Sequence, residues 1–355
     1  MKKKLNITLS ILLPVQIVLI ELLKTNPVWI EHFYSKGLYP YISQSLRILL
    51  GWIPFSIGDF LYALLILGLM RWIYIRIKTK FKAPKQWIFS ALATLSIIYG
   101  CFNLFWGYNY YRLPLHISLE IKTDYSPEEL VTYTTYLIKE SNRLHKEITQ
   151  NDTLQVKFPF TKLEVDEKAI QGYENISQEF PELTYTQRSL KPSLFSIPLT
   201  YMGFNGYLNP LTNEAQYNRQ IPLFKLPSTT SHEIGHQLGY AKENEANYMA
   251  CLTTMNHPDI YMRYAGYTFA LQYSLGEVLK TQPCVGQNLV GTINTGILKD
   301  YREVRLFWED HNNPLEPFFK LFYGNYLKAN NQPQGIKSYS YVVALLVNQH
   351  QKNLK

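Results

Sequence analysis

The sequence predicts a mainly α (α+β) protein: three N-terminal transmembrane helices, then a mostly helical domain with a small β element. Three observations carry this. Three long apolar stretches fall within residues 1–111. Beyond them apolar residues recur at helical spacing. One segment, 181–225, breaks that spacing and is rich in Pro, Gly, Asn, Tyr and Thr.

The stretches come first. Leu5 to Leu23 is 19 residues whose only charge is Glu21, and Ile53 to Met70 is 18 residues whose only charge is Asp59. Trp87 to Tyr111 is 25 residues with no charge. Each is long enough to cross a bilayer core as a helix. Spans are expected at about 5–23, 53–75 and 87–107, making 1–111 a membrane region and 112–355 a domain outside the cytoplasm. The first span has the basic start of a signal peptide, but Leu23-Lys24-Thr25-Asn26-Pro27 offers no small-x-small cleavage pattern, so it reads as a retained anchor.

Charge fixes the expected orientation. The chain of 355 residues has a net charge of +8; residues 1–86 carry +9 of it and the remainder −1. Lys2, Lys3 and Lys4 precede the first span, and Arg71, Arg76, Lys78, Lys80, Lys82 and Lys85 crowd the loop between the second and third. Both clusters read as cytoplasmic. The loop between spans one and two carries only Lys24, Lys36 and Arg47, and Asp59 falls near the outer mouth of the second span. A nearly neutral remainder gives no support to nucleic-acid binding. Charged residues at 17% and aromatics at 15% exclude disorder. Of the three cysteines, Cys101 lies in a span, and the spacing of Cys251 and Cys284 does not demand a disulfide.

In the domain, Ser126-Pro127-Glu128-Glu129 is a capping box with proline in the first turn, starting a helix that runs to about Ile148. A second helix is expected near Asp166–Glu179. Residues 181–225 read as loops and a small β element, with Gly203–Asn209 either an edge strand or a surface loop. Helices are expected at 229–239, 243–255, 258–281, 288–309, 315–329 and 338–350.

Chemistry concentrates in Ser231-His232-Glu233-Ile234-Gly235-His236-Gln237-Leu238-Gly239 and the residues after it. His232 and His236, four apart on a helix, project from one face and can share a zinc ion. Glu233 beside them is placed to take a proton from water activated by the metal. A catalytic zinc needs a third protein ligand and an open position, and Glu243 and Glu245 compete for that place. Gly239 suits the left-handed turn by which the chain would leave the first helix. Tyr264 and Tyr267 are candidate oxyanion donors, although with 28 tyrosines in the chain packing roles compete. His257 and His311 read as packing or surface residues.

Ser231 to Asn247 resembles the zinc site of gluzincin-type metallopeptidases. Its Glu243-x-x-Ala246-Asn247 tail is similar to that of ImmA/IrrE-like peptidases and of membrane-bound heat-shock and prenyl-protein proteases. This resemblance implies a zincin-like domain in which Glu243 is the third ligand and Asn247 orients a zinc-bound histidine, with Glu245 as the alternative ligand. A broader resemblance rests on Pro54-Phe55-Ser56-Ile57-Gly58-Asp59, Trp106-Gly107-Tyr108-Asn109-Tyr110-Tyr111-Arg112, Gly206–Ala215, the zinc motif and Arg263–Tyr267. That order resembles a bacterial membrane family known as domain of unknown function 3810, whose implied activity rests on the same zinc motif.

The expectation is a zinc-dependent metallopeptidase of the bacterial inner (cytoplasmic) membrane, binding one Zn²⁺ per chain. It would cleave a peptide or protein of the cell envelope, with the lipid bilayer as its other partner. The rival reading is a non-catalytic envelope protein whose zinc site is structural or lost. A transporter reading would leave the zinc motif unexplained.

Overall fold

The computed structural model describes residues 2–335, 337 and 341–354. Three helices in it are long and apolar enough to cross a membrane: Lys4–Leu23, Ile57–Lys78 and Pro84–Phe105. They belong to α1 (Lys2–Leu23), α4 and α5. Span two begins later than the hydropathy suggests because Ser56 caps it, its hydroxyl accepting from the Asp59 amide at 2.9 Å. Span three begins at Pro84, a residue suited to a first helical turn. Inside the membrane region α1 packs along α5, and the Ser10 hydroxyl donates to the Phe89 carbonyl at 2.8 Å.

The connection between spans one and two departs from the expected loop. From Pro27 to Leu50 it is helical: α2 (Pro27–Trp29), a π-helical segment (Ile30–Leu38) and α3 (Tyr39–Leu50). Ile30, Tyr34 and Tyr39 are buried together with Trp106 and Tyr110. The intervals of four and five between them explain the π turn. Its wider i→i+5 repeat keeps all three on one face, where an α-helix would rotate Tyr39 away. Lys36 and Arg47, read as loop charges, have structural partners: Lys36 pairs with Glu31, and Arg47 donates to the Gln187 carbonyl.

After span three the chain makes a short 3₁₀ turn (Gly107–Tyr111) and continues as α6 (Leu115–Ser118), α7 (Pro127–Thr149) and α8 (Lys162–Ile176). Capping boxes start both longer helices, Ser126 with Glu129 and Thr161 with Glu164. Strand β1 (Leu190–Pro192), α9 (Ser196–Met202), β2 (Gly206–Asn209) and β3 (Glu214–Tyr217) follow. The sheet order is β1-β3-β2, with β1 parallel and β2 antiparallel to the central β3. Strand β2 is therefore an edge strand rather than a surface loop.

Helices α10 (Leu226–Gln237), α11 (Glu243–Met255) and α12 (Ile260–Thr281) form the centre of the folded body. The expected single helix over 288–309 is two, α13 (Pro283–Val290) and α14 (Thr295–Glu309). The chain turns between them where the Asn294 amide donates to the Asn142 side chain at 2.9 Å. Last come α15 (Glu316–Ala329) and α16 (Val342–Asn353); residues 338–340 of the expected final helix lie outside the described residues. The largest core is built by α7, α8, α10, α11, α12, α14 and α16 around Leu137, Tyr173, Ile234, Met249 and Val347. Cys101, Cys251 and Cys284 are free thiols, Cys251 buried and Cys284 exposed.

The folded body sits at the end of the spans where α1 and α5 finish and α4 begins. Contacts cross between it and the membrane region. Arg112 makes a bidentate pair with Glu31 at 2.9 and 2.8 Å, buried on both sides, so the span 1–2 connection is built into the body.

Candidate metal centre

The motif helix α10 is buried along its whole length, which explains its mixed composition: no face of it needs to be polar for water. Its middle is tied to α8 where the Tyr173 hydroxyl donates to the Ser231 carbonyl at 2.7 Å. Its end would leave carbonyls unsatisfied, and these are met by residues from the membrane-proximal segments. Tyr39 and Ser43 donate to the Gln237 carbonyl at 2.9 and 3.1 Å, and the Trp106 indole to the His236 carbonyl at 3.3 Å. Arg112 donates to the Gly239 carbonyl at 3.0 Å. Gly239 itself has φ +90°, and a Cβ there would press on Tyr39 and Asn109, so both the turn and the packing require glycine.

The turn at Gly239 brings Glu243, in the first turn of α11, back onto the two histidines. Its Oε2 lies 3.2 Å from His232 Nε2 and 3.7 Å from His236 Nε2. The three ligand atoms lie within 4.8 Å of one another, and all three residues are buried. Tetrahedral zinc with bonds of ~2.1 Å would separate its ligand atoms by about 3.4 Å, so this spacing fits the ion.

The outward nitrogens are also set. His232 Nδ1 lies 2.9 Å from Asn247 Oδ1, and His236 Nδ1 lies 2.8 Å from the Tyr240 carbonyl. Each oxygen can only accept, so each Nδ1 carries hydrogen and Nε2 is the atom that each ring turns to the cluster. Asn247 is held in turn by donating to the Tyr273 hydroxyl at 3.2 Å. Burial lowers the pKa of His232. At His236 burial acts the same way, but the Glu243 carboxylate outweighs it and lifts the ring to about 9. Burial would raise Glu243, yet hydrogen bonds from His232 and then His236 hold it well below the ordinary carboxylate range.

Glu233 faces the edge strand. A Cβ on Gly206 of β2 would lie 2.7 Å from Glu233 Oε1 and 2.6 Å from the Gln216 carbonyl, so β2 can approach this carboxylate only through a glycine. Burial pushes Glu233 up to about 8. Among the described residues its Oε2 has no hydrogen-bond partner, which leaves a buried acceptor for a water or a substrate group.

The remaining candidates point elsewhere. Glu245 Oε1 accepts from the Leu115 amide at 3.0 Å and lies 3.7 Å from Lys242 Nζ, which ties α11 to α6. The Tyr264 hydroxyl donates to Asp300, and the Tyr267 hydroxyl lies 3.2 Å from that of Tyr136. His257 accepts from the Asp259 amide through Nδ1, and His311 Nδ1 contacts the Phe307 carbonyl. A residue that sequence reasoning missed does reach the cluster. Tyr323 of α15 donates to Glu243 Oε1 at 2.7 Å. No motif marks it, since it arrives from 80 residues further along the chain.

A family model described as "Protein of unknown function (DUF3810)" matches residues 34–347. No curated protein and no solved structure matches the chain.

Proposed function

The chain belongs to the DUF3810 family of proteins of unknown function, and from its site we propose a zinc metallopeptidase anchored in the bacterial cytoplasmic membrane, its folded body outside the cytoplasm. The observation that carries this reading is the convergence of His232 Nε2, His236 Nε2 and Glu243 Oε2, with the Glu233 carboxylate between that cluster and an edge strand. A zinc ion held by His232, His236 and Glu243 would supply Lewis acidity for a scissile carbonyl and would acidify water.

The protein's own groups do the rest. Glu233 takes the proton of the attacking water and returns it to the leaving amine; burial suits it to do both near neutral pH. The free edge of β2 pairs with an extended substrate backbone, as edge strands do. Gly206 lets that backbone pass close to Glu233. The Tyr323 hydroxyl, which donates to Glu243 Oε1, is the candidate donor to a developing oxyanion in place of Tyr264 and Tyr267. Asn247 fixes His232, and Glu245 serves α11 rather than the metal. The orientation rests on charge: the basic clusters at the start of α1 and around the turn from α4 to α5 lie at the opposite end of the spans from the folded body.

The test uses the full chain in lipid nanodiscs. About one zinc per chain is expected, together with hydrolysis of peptides from an envelope-protein digest. Glu233→Gln should keep the zinc and lose hydrolysis by at least ~100-fold. A folded chain that takes up no zinc when metal is supplied would overturn the reading. So would a Glu233→Gln protein as active as its parent.

A further inference from the structure

We infer that the α9–α15 face of the folded body lies in the lipid headgroup layer, so that the flank of the His232–His236–Glu243 cluster is held at the membrane surface. The inference needs only the fold and the spans, and stands whether or not the site is a peptidase.

Helix α15 has two faces. One turns inward: Tyr323 reaches Glu243, Tyr326 meets the Tyr110 hydroxyl at 3.2 Å, and Leu327 is fully buried. The other carries Phe318, Leu321 and Phe322, which are 64, 64 and 68% exposed. Three large apolar side chains at i, i+3 and i+4 on an outward helical face form a stripe that water does not favour. Helix α9 packs beside α15 and adds Ile197 and Tyr201, also exposed.

The position of these residues names what covers them. Tyr326, one turn after Phe322, packs on Phe102 at the body-side end of span three, ring centroids 6.3 Å apart. Leu194, just before α9, donates its amide to Asp59 in the first turn of span two at 2.7 Å. Each half of the patch is therefore tied to the end of a different span. Exposed Trp52 and Phe55 precede span two at the same end, where aromatic side chains mark the headgroup level. An amphipathic helix beside the end of a span, its apolar side outward, has the character of an interfacial membrane helix. The occupant is lipid.

The experiment measures depth. Single cysteines at Phe322→Cys and Ile197→Cys, in a Cys101→Ser and Cys284→Ser background, carry a nitroxide label. The full chain is held one molecule per nanodisc of phosphatidylethanolamine and phosphatidylglycerol. Collision rates with oxygen, which partitions into lipid, are compared with those of a water-soluble nickel chelate. Arg305→Cys on α14, an exposed position, serves as the aqueous reference. The oxygen-to-nickel ratio at 322 and 197 should exceed that at 305 by about fivefold or more. A ratio equal to that at 305 overturns the inference. A second copy or a soluble partner as the true occupant would give that same equal ratio, since neither is in the disc. Zinc content of the same samples reports on the metal site separately.

Discussion

Asn247 touches no ligand atom of the cluster, yet replacing it by alanine should weaken zinc binding by 10–100-fold, about 1.4–2.7 kcal/mol. Its Oδ1 accepts from His232 Nδ1 at 2.9 Å, a contact that sets the tautomer and helps fix the rotation of that ring. Without it the imidazole can place hydrogen on Nε2, the atom that would bind metal, or rotate about its χ2. The second bond of Asn247, to the Tyr273 hydroxyl, holds Asn247 itself and adds no separate loss. Asn247→Asp should retain affinity within about threefold, because a carboxylate still accepts from Nδ1 and raises the basicity of Nε2. Glu245→Ala provides the contrast. It leaves the Leu115 amide without its acceptor, so the melting temperature should fall while zinc affinity stays the same. The assay is zinc titration of metal-stripped full-length protein against a chromogenic chelator. If folded Asn247→Ala binds zinc within twofold of the parent, or if Glu245→Ala weakens binding more, the assignment of roles in α11 is wrong.

Gly206→Ala should move either β2 or Glu233, because the new Cβ would sit 2.6–2.7 Å from fixed oxygens; a loss of ~1–3 kcal/mol of stability with zinc retained is expected, read by denaturant unfolding and metal analysis. An alanine variant as stable as the parent would mean the strand does not approach Glu233 this closely. Tyr323→Phe removes one hydrogen bond to Glu243 Oε1, worth about 1 kcal/mol, so zinc should bind roughly fivefold more weakly; unchanged affinity would detach α15 from the site. Asp166, pushed up to about 8 by burial despite its bond from Tyr217, favours the protonated fold. Between the ordinary carboxylate pKa and about 8 the folded chain thus binds more protons than the unfolded one, and stability should fall as pH rises through that window. Asp166→Asn should flatten the dependence in melting experiments; an unaltered slope would assign it to another group.

What the sequence made legible was local. A His-Glu-x-x-His on one helix face, a glycine stop seven residues after His232 and a glutamate four further on are constraints that neighbouring residues impose on one another. The structure places His232, His236, Glu243 and Asn247 together. The capping box at Ser126 is equally local, whereas the one at Thr161 goes unread and its helix is expected only from Asp166. What could not be read depends on distant pairing. Residues 26–52 show neither a span nor a motif and so read as a loop, and the burial of Ile30, Tyr34 and Tyr39 depends on Trp106, Tyr110 and the end of α10. Strand β1 is only three residues and exists because Ala215 and its neighbours offer a parallel partner. The role of Tyr323 is invisible until α15 is laid across the site, whereas Tyr264 and Tyr267, near the motif in sequence, turn to Asp300 and Tyr136.

The hydrogen bonds that finish α10 have a consequence for where this protein can act. Tyr39, Ser43, Trp106 and Arg112 satisfy the carbonyls of Gln237, His236 and Gly239, and three of the four precede residue 109. A fragment starting at Asn109 would lose Tyr39, Ser43 and Trp106 and leave the Gln237 carbonyl unmet beside His236, so the soluble piece should unfold or fail to take up zinc. Zinc retained by a folded fragment starting at Asn109 would refute this. The anchor then acts as a tether that cannot be cut without dismantling the site, so whatever the site does is confined to the membrane surface.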